Sequence, residues 1–205
     1  MVTRRTLLAT AAGAAALAAV GAPRGAGAQT PKRGGTLTIR AWDPPHFDHS
    51  LVHAYRTHVA ISFTHSRLLR HRAGPGVKPG SLTLEGDLAE SWTQPSDTTY
   101  VFRLRRGVRF HPKPPVNGRE LTADDVKYTF DRFVAEKGNA NRAMMAALDK
   151  VEVVDKYTVK FTLKEPYVWF LDMVSNPMAL VIIPKEAVER LRGETDFPFV
   201  VQTEQ

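Results

Sequence analysis

DLAESWTQPSDTTYVFRLRRGVRFHPKPPVNGRELTADDVKYTFDR, residues 87–132, is the stretch whose reading decides the fold. Tyr100, Phe102 and Leu104 alternate with Val101, Arg103 and Arg105. That period of two belongs to a strand with one face buried. It predicts a strand over Thr99–Leu104, entered from a turn at 94–97. Arg106-Gly107 then turns the chain, and Val108 and Phe110 resume the alternation for a short second pairing segment. Residues 112–118 are a Pro/Gly/Asn loop. Beyond it Thr122 is placed to cap a helix, with Asp125 three residues on as a short relative of the capping-box acid. Asp124 and Asp125 put negative charge on the positive end of the helix dipole. Val126, Phe130, Phe133 and Val134 fall on one helical face. The stretch therefore reads as strand, hairpin, loop and buried-face helix.

The same residues carry a family resemblance. Asp87-Leu-Ala-Glu-Ser-Trp92, Phe102-Arg-Leu-Arg-Arg-Gly-Val-Arg-Phe-His111 and Leu121-Thr-Ala-Asp-Asp-Val-Lys-Tyr-Thr-Phe-Asp-Arg132 resemble the signature of extracytoplasmic solute-binding proteins of the oligopeptide, dipeptide and nickel class, the family 5 receptors of ABC importers. Three motifs in order over one span are far more specific than a single short pattern. The competing reading is a generic α/β module that shares a hairpin and a helix. The resemblance implies an α/β, periplasmic-binding-protein-like fold of class II, peptide-receptor type. What is present would be a partial first lobe with an inserted α+β subdomain. It divides the chain into a signal at 1–28, the start of lobe I at 29–58, the inserted subdomain at 59–165 and a return into lobe I at 166–205. In such receptors the signature is mainly scaffold.

The amino terminus sets the expected compartment. Thr3-Arg4-Arg5-Thr6-Leu7-Leu8 precedes an Ala-rich run to Val20, closed by Ala26-Gly27-Ala28. A basic start, a short apolar run and a small-residue site describe a cleavable export signal, and paired arginines point to the twin-arginine route. The expected location is the periplasm. The apolar run is short for a membrane span, which needs about 20 residues. The sequence has no cysteine, which excludes a lipid anchor on cysteine and any disulfide.

Formal charge is +7, and the signal carries Arg4, Arg5 and Arg24 with no acid, leaving 7 − 3 = +4 on the remainder. Basic and acidic residues interleave, apart from Arg103, Arg105, Arg106 and Arg109, and this is not the footprint of a nucleic-acid partner. The arginines at 103 and 105 read as a solvated strand face. Hydrophobic residues make up 43% of the chain, including ten Phe and three Trp, enough for a core.

Leu37 and Ile39 alternate within Thr36–Ala41, which predicts a first strand. The resemblance puts the loop after it, Trp42-Asp-Pro-Pro-His-Phe-Asp-His49, at the cleft, since open α/β sheets bind ligands at the carboxyl ends of strands. Trp42, Asp43 and His46 are the candidate ligand-facing residues, with Trp42 alternatively a lid on the core. His46, His49, His53, His58 and His65 crowd this region, and His49 and His53 are spaced to share a helical face with Asp48 or His46 nearby. A metal site is the sharper reading and scattered surface histidines the plainer one. The plainer reading is adopted, with no metal and no cofactor.

Further along, residues 57–69 read as a helix leading into Leu68-Leu69, and Met144-Met145 as packing. Val151–Val154 and Thr158–Leu163 read as a hairpin turning at Asp155-Lys156-Tyr157. A helix is expected from Glu165-Pro166 through Val174, a short buried strand at Leu180–Ile183, and a last helix over Lys185–Leu191 with Pro184 at its first turn. Past Gly193 the resemblance ends. The chain is read as the amino-terminal portion of a receptor with its second lobe absent and apolar surface left uncovered.

The leading function is capture of a short peptide or related small solute for delivery to an inner-membrane ABC permease, without bond-making. An exported structural or chaperone-like domain is the alternative. An exported hydrolase is weaker, because neither a Gly-x-Ser-x-Gly elbow nor a His-Glu-x-x-His helix occurs, and His65-Ser66 is the nearest approach.

Overall fold

In the computed structural model the described residues are 34–191 apart from 37, 46, 49, 52 and 53. The expected export signal at 1–28, His46, His49, His53 and the segment beyond 191 lie outside them.

The predicted strand at Thr99–Leu104 forms with those bounds and is the second of four in an antiparallel sheet. Numbering strands and helices in chain order gives helix α1, Tyr55–Ser62, followed by β1, Leu69–His71, and β2, Leu84–Gly86. Next come β3, Ala89–Ser96, β4, Thr99–Leu104, and helix α2, Ala123–Ala135. The chain continues through β5, Leu148–Asp155, β6, Thr158–Leu163, α3, Phe170–Ser175, and α4, Lys185–Leu191. The large sheet has the order β3-β4-β6-β5, with Trp92 opposite Phe102, Phe102 opposite Val159, and Val151 opposite Phe161. A separate two-stranded sheet pairs β1 with β2.

One face of the large sheet makes the core. Tyr100, Phe102 and Leu104 from β4 and Val159, Phe161 and Leu163 from β6 are buried, as the alternation requires. Val126, Phe130 and Phe133 of α2 are fully buried members of the same cluster. Phe161 is its hub: its ring meets Phe130 edge-on at 4.8 Å, Phe102 edge-on at 5.3 Å and Phe170 at 5.5 Å. Tilted and edge-to-face pairs of this kind add about 0.5–1.5 kcal/mol each beyond area burial. Because Phe170, Val174, Leu180 and Ala187 belong to this cluster, the core runs across the expected boundary at 165/166.

The helix start follows from its cap. Asp125 Oδ2 accepts the Thr122 backbone N–H at 2.9 Å, and Asp124 and Asp125 occupy the first turn. A guanidinium fork then ties the loop before α2 to α4. Arg119 donates to both Asp125 oxygens at 2.8 and 2.6 Å and to both Glu186 oxygens at 2.6 Å, with its plane 5.0 Å over the Phe110 ring. These carboxylates raise the pKa of Arg119 further above its ordinary value. Val108 and Phe110 do resume pairing, across the loop with residues 119–121 and not back onto β4.

Several expectations are corrected. The described residues of 36–41 form no strand and are exposed; alternation supplies a face, but a strand also needs a ladder partner. The helix read over 57–69 is α1, Tyr55–Ser62, and Leu69 belongs to β1. The turn read at 94–97 is strand as far as Ser96, with Pro95 tolerated because β3 is an edge strand. The helix expected from Glu165 starts at Phe170. Leu180–Ile183 is buried, as expected, without being a strand. The Ile182 N–H reaches the Ser66 carbonyl at 3.0 Å and the Ile183 N–H the Thr129 hydroxyl at 3.1 Å, so a loop and a helix take the place of a ladder. Arg105 is not a solvated strand residue. It is half-buried and its Nε donates to the Asp87 carbonyl at 2.7 Å, tying β4 to the turn before β3.

Candidate functional site

The loop carrying the candidate contacts is stiff by composition. Pro44 and Pro45 fix their own φ and hold the residues before them extended. Trp42 is 71% exposed and Asp43 is exposed, so Trp42 is not a lid on the core. His46 lies outside the described residues. The loop re-enters the protein at Phe47, partly buried against Ile61, Val181, Ile183 and Val188, with Tyr128 of α2 on the same cluster.

Asp48 follows, 5% exposed, and organises what surrounds it. Its Oδ1 accepts the Ser50 N–H at 2.9 Å and its carbonyl accepts the Leu51 N–H at 3.1 Å, closing a turn. Arg132 of α2 donates its Nη1 to Asp48 Oδ1 at 3.0 Å and its Nη2 to Oδ2. The Arg132 side chain is only 11% exposed, so the pair is largely desolvated and bidentate. Arg132, Tyr128, Glu136 and Glu189 also line a surface recess of about 480 Å³ between α2 and α4.

This geometry removes Asp48 from the suggested metal trio, because the guanidinium engages both carboxylate oxygens. His49 and His53 lie outside the described residues. His58 is buried, 1% exposed, with its Nε2 3.5 Å from Asn141 Nδ2, which makes it an interior residue and not a surface one. His65 faces Thr64 Oγ1 through Nδ1 at 2.9 Å, and burial pushes its pKa down to about 4.

Two arrangements bear on a nucleophilic reading. His65 turns its Nδ1 to Thr64, and no hydrogen bond between the side chains of His65 and Ser66 is present among the described residues. His71 is flanked by Ser175 Oγ at 3.2 Å and Asp172 Oδ1 at 3.6 Å, yet both face Nε2, while Nδ1 is buried without a partner. A relay that activates serine needs the carboxylate on the opposite ring nitrogen. Here the histidine is a clip between β1 and α3.

Reading the sequence alone misses the Asp48–Arg132 pair. Its one signal was that Arg132 closes a motif whose helix was expected to bury its apolar face, leaving a charged residue beside that face unexplained.

The fold matches known proteins. Over 71% of this chain and 28% of the other, the structure resembles the binding protein MoaA of A. tumefaciens in complex with mannopinic acid, at 32% identity and a TM-score of 0.61. The periplasmic binding protein DppA of Helicobacter pylori, in complex with the peptide STSA, matches over 74% of this chain and 31% of its own at 26% identity and a TM-score of 0.61. The fold is that of a periplasmic binding protein of the peptide-receptor type, of which this chain covers part. The family model for bacterial extracellular solute-binding proteins, family 5 Middle, matches residues 83–199, and the chain belongs to that family. Among curated relatives, di/tripeptide-binding protein 2 of Pseudomonas aeruginosa is 32% identical over 136 residues, 58% of this chain and 25% of that protein. The chain spans about a quarter of the length of the curated relatives it matches.

Proposed function

We propose that this chain contributes a solute-contacting part of a periplasmic receptor that captures short peptides, or a related small solute, for an inner-membrane ABC permease. The carrying observation is an exposed Trp42-Asp43 pair on a proline-stiffened loop whose far end is anchored in the protein. Trp42 offers an aromatic face and Asp43 an acceptor for a cationic or N–H-bearing group, with His46 the third contact. Capture works by differential affinity for open and closed states, with no bond made or broken in the solute. Residues 59–165 act as the inserted subdomain of lobe I, and an export signal at 1–28 delivers the protein through the twin-arginine route.

Relatives with peptide names and a neighbour crystallised with mannopinic acid support a small-solute receptor, with short peptides the first choice. Tyr55 and Phe63, 66% and 68% exposed at the two ends of α1, support a face that meets more protein or ligand. Isothermal titration with alanyl-alanine, glutathione and mannopinic acid tests the reading. A saturable signal for a peptide, weakened about tenfold or more by Trp42→Ala and by Asp43→Asn, is the expected result. Tight binding that neither substitution changes would overturn the assignment of these contacts.

A further inference from the structure

We infer that the guanidinium of Arg67 is an anion site that takes the carboxylate of a small solute. That the solute is a short peptide, whose free end carries such a carboxylate, rests on the function proposed above; the anion site itself does not.

Four arginines are partly buried among the described residues, at positions 67, 105, 119 and 132. Three of them spend their donors inside the protein. Arg105 donates to the Asp87 and Gly86 carbonyls, Arg119 to Asp125 and Glu186, and Arg132 to Asp48. The side chain of Arg67 has no acceptor among the described residues. Its Nε is sealed from water and unpaired, while Nη1 and Nη2, also without acceptors, keep access to solvent.

The acids nearby are engaged elsewhere. Asp87 turns its Oδ2 to the backbone N–H of Arg67 at 2.9 Å, and Glu85 pairs with Arg70 at 2.7 Å. Burial pushes the Arg67 pKa below its ordinary value, Asp87 draws it back up and Arg70 pushes it down again. The charge stays, because a guanidinium does not lose its proton in a protein. A cation partly out of water without an acceptor is costly, and a ligand oxygen pair on the open Nη1 and Nη2 fork removes that cost. The backbone beneath it is fixed: the Arg67 carbonyl accepts the Leu88 N–H at 2.9 Å, the Ser66 carbonyl accepts the Ile182 N–H at 3.0 Å, and Leu68 is buried. A planar fork on a fixed backbone matches two coplanar oxygens through parallel bonds. One unpaired cation balances one negative charge. That fits a carboxylate better than a phosphate dianion, since Arg70 is already paired.

Nuclear magnetic resonance on the full chain reads the site through the Arg67 Nε–H signal, assigned through bonds from its own backbone. Alanyl-alanine and acetate should each shift that signal saturably, and alanyl-alanine amide, which lacks the carboxylate, should leave it in place. Isothermal titration should give a Kd for alanyl-alanine weakened about tenfold or more in Arg67→Met, with Arg67→Lys in between because it keeps the charge without the fork. With no anion present, Arg67→Met should hold or raise the urea midpoint, because no acceptor is stranded. A signal that neither anion moves, an equal response to the amide, or a lowered midpoint in Arg67→Met would overturn the proposal. A shift with acetate and none with alanyl-alanine would sustain the anion site and count against the peptide reading.

Discussion

Thr129→Val deletes a single hydroxyl from the interior and keeps the shape of the side chain. Thr129 is 1% exposed on α2. Its Oγ1 accepts the Ile183 N–H at 3.1 Å and donates toward the Asp125 carbonyl at 2.8 Å or the Ile183 carbonyl at 3.1 Å. Ile183 is itself buried, so in the valine variant its N–H has no water to turn to. A buried donor left unpaired costs about 1–3 kcal/mol. The added methyl returns at most about 0.8 kcal/mol by burial. The net loss should be about 0.2–2.2 kcal/mol, with a fall in Tm of about 2–4 °C for each kcal/mol in a chain of this size. Thr129→Ser is the control, because it retains the hydroxyl and loses only the methyl. Urea unfolding gives the stabilities, and amide exchange at Ile183 reports the bond itself, with the amide unprotected in the valine variant and protected in the serine one. The reasoning is refuted if the valine variant equals the unaltered protein in stability and keeps Ile183 protected.

Two further outcomes follow from the fold. Glu120 accepts from Lys156 at 2.7 Å, the Gly107 N–H at 2.8 Å and the Tyr157 hydroxyl at 2.9 Å, which together hold its carboxyl at about 2, below the ordinary 4.5. A carboxyl depressed in the folded state stabilises above its unfolded pKa and loses that contribution as pH falls from about 4.5 toward 2. Glu120→Gln should therefore flatten the acid limb of a stability-against-pH curve in that window, and an unaltered slope there would contradict the assignment. Gly86→Ala would drive a β-carbon into the Ala89 carbonyl oxygen, on a residue whose own N–H is held by the Leu68 carbonyl at 3.0 Å. With backbone on both sides of the clash, the loss should reach about 3 kcal/mol in urea unfolding, and a loss under about 0.5 kcal/mol would mean that the turn has room to open.

What the amino-acid order determined by itself was local and periodic. The strand at Thr99–Leu104, the cap at Thr122 with Asp125, the buried face of α2 and the hairpin at Lys156-Tyr157 were legible because each depends on residues a few positions apart. The family was legible for the same reason, since its motifs lie on these elements. Partnership across the chain was decided only in the tertiary structure. Alternation marked 36–41 and 180–183 as strand-like, but pairing needs an edge, and the second segment found a helix hydroxyl and a loop carbonyl instead. Arg105 looked solvated until the turn before β3 brought the Asp87 carbonyl within 2.7 Å. Asp48 and Arg132 stand 84 positions apart, a separation at which no periodicity operates. The packing of Phe47 and Tyr128 on one cluster brings them together, and burying both charges there is tolerable because each satisfies the other.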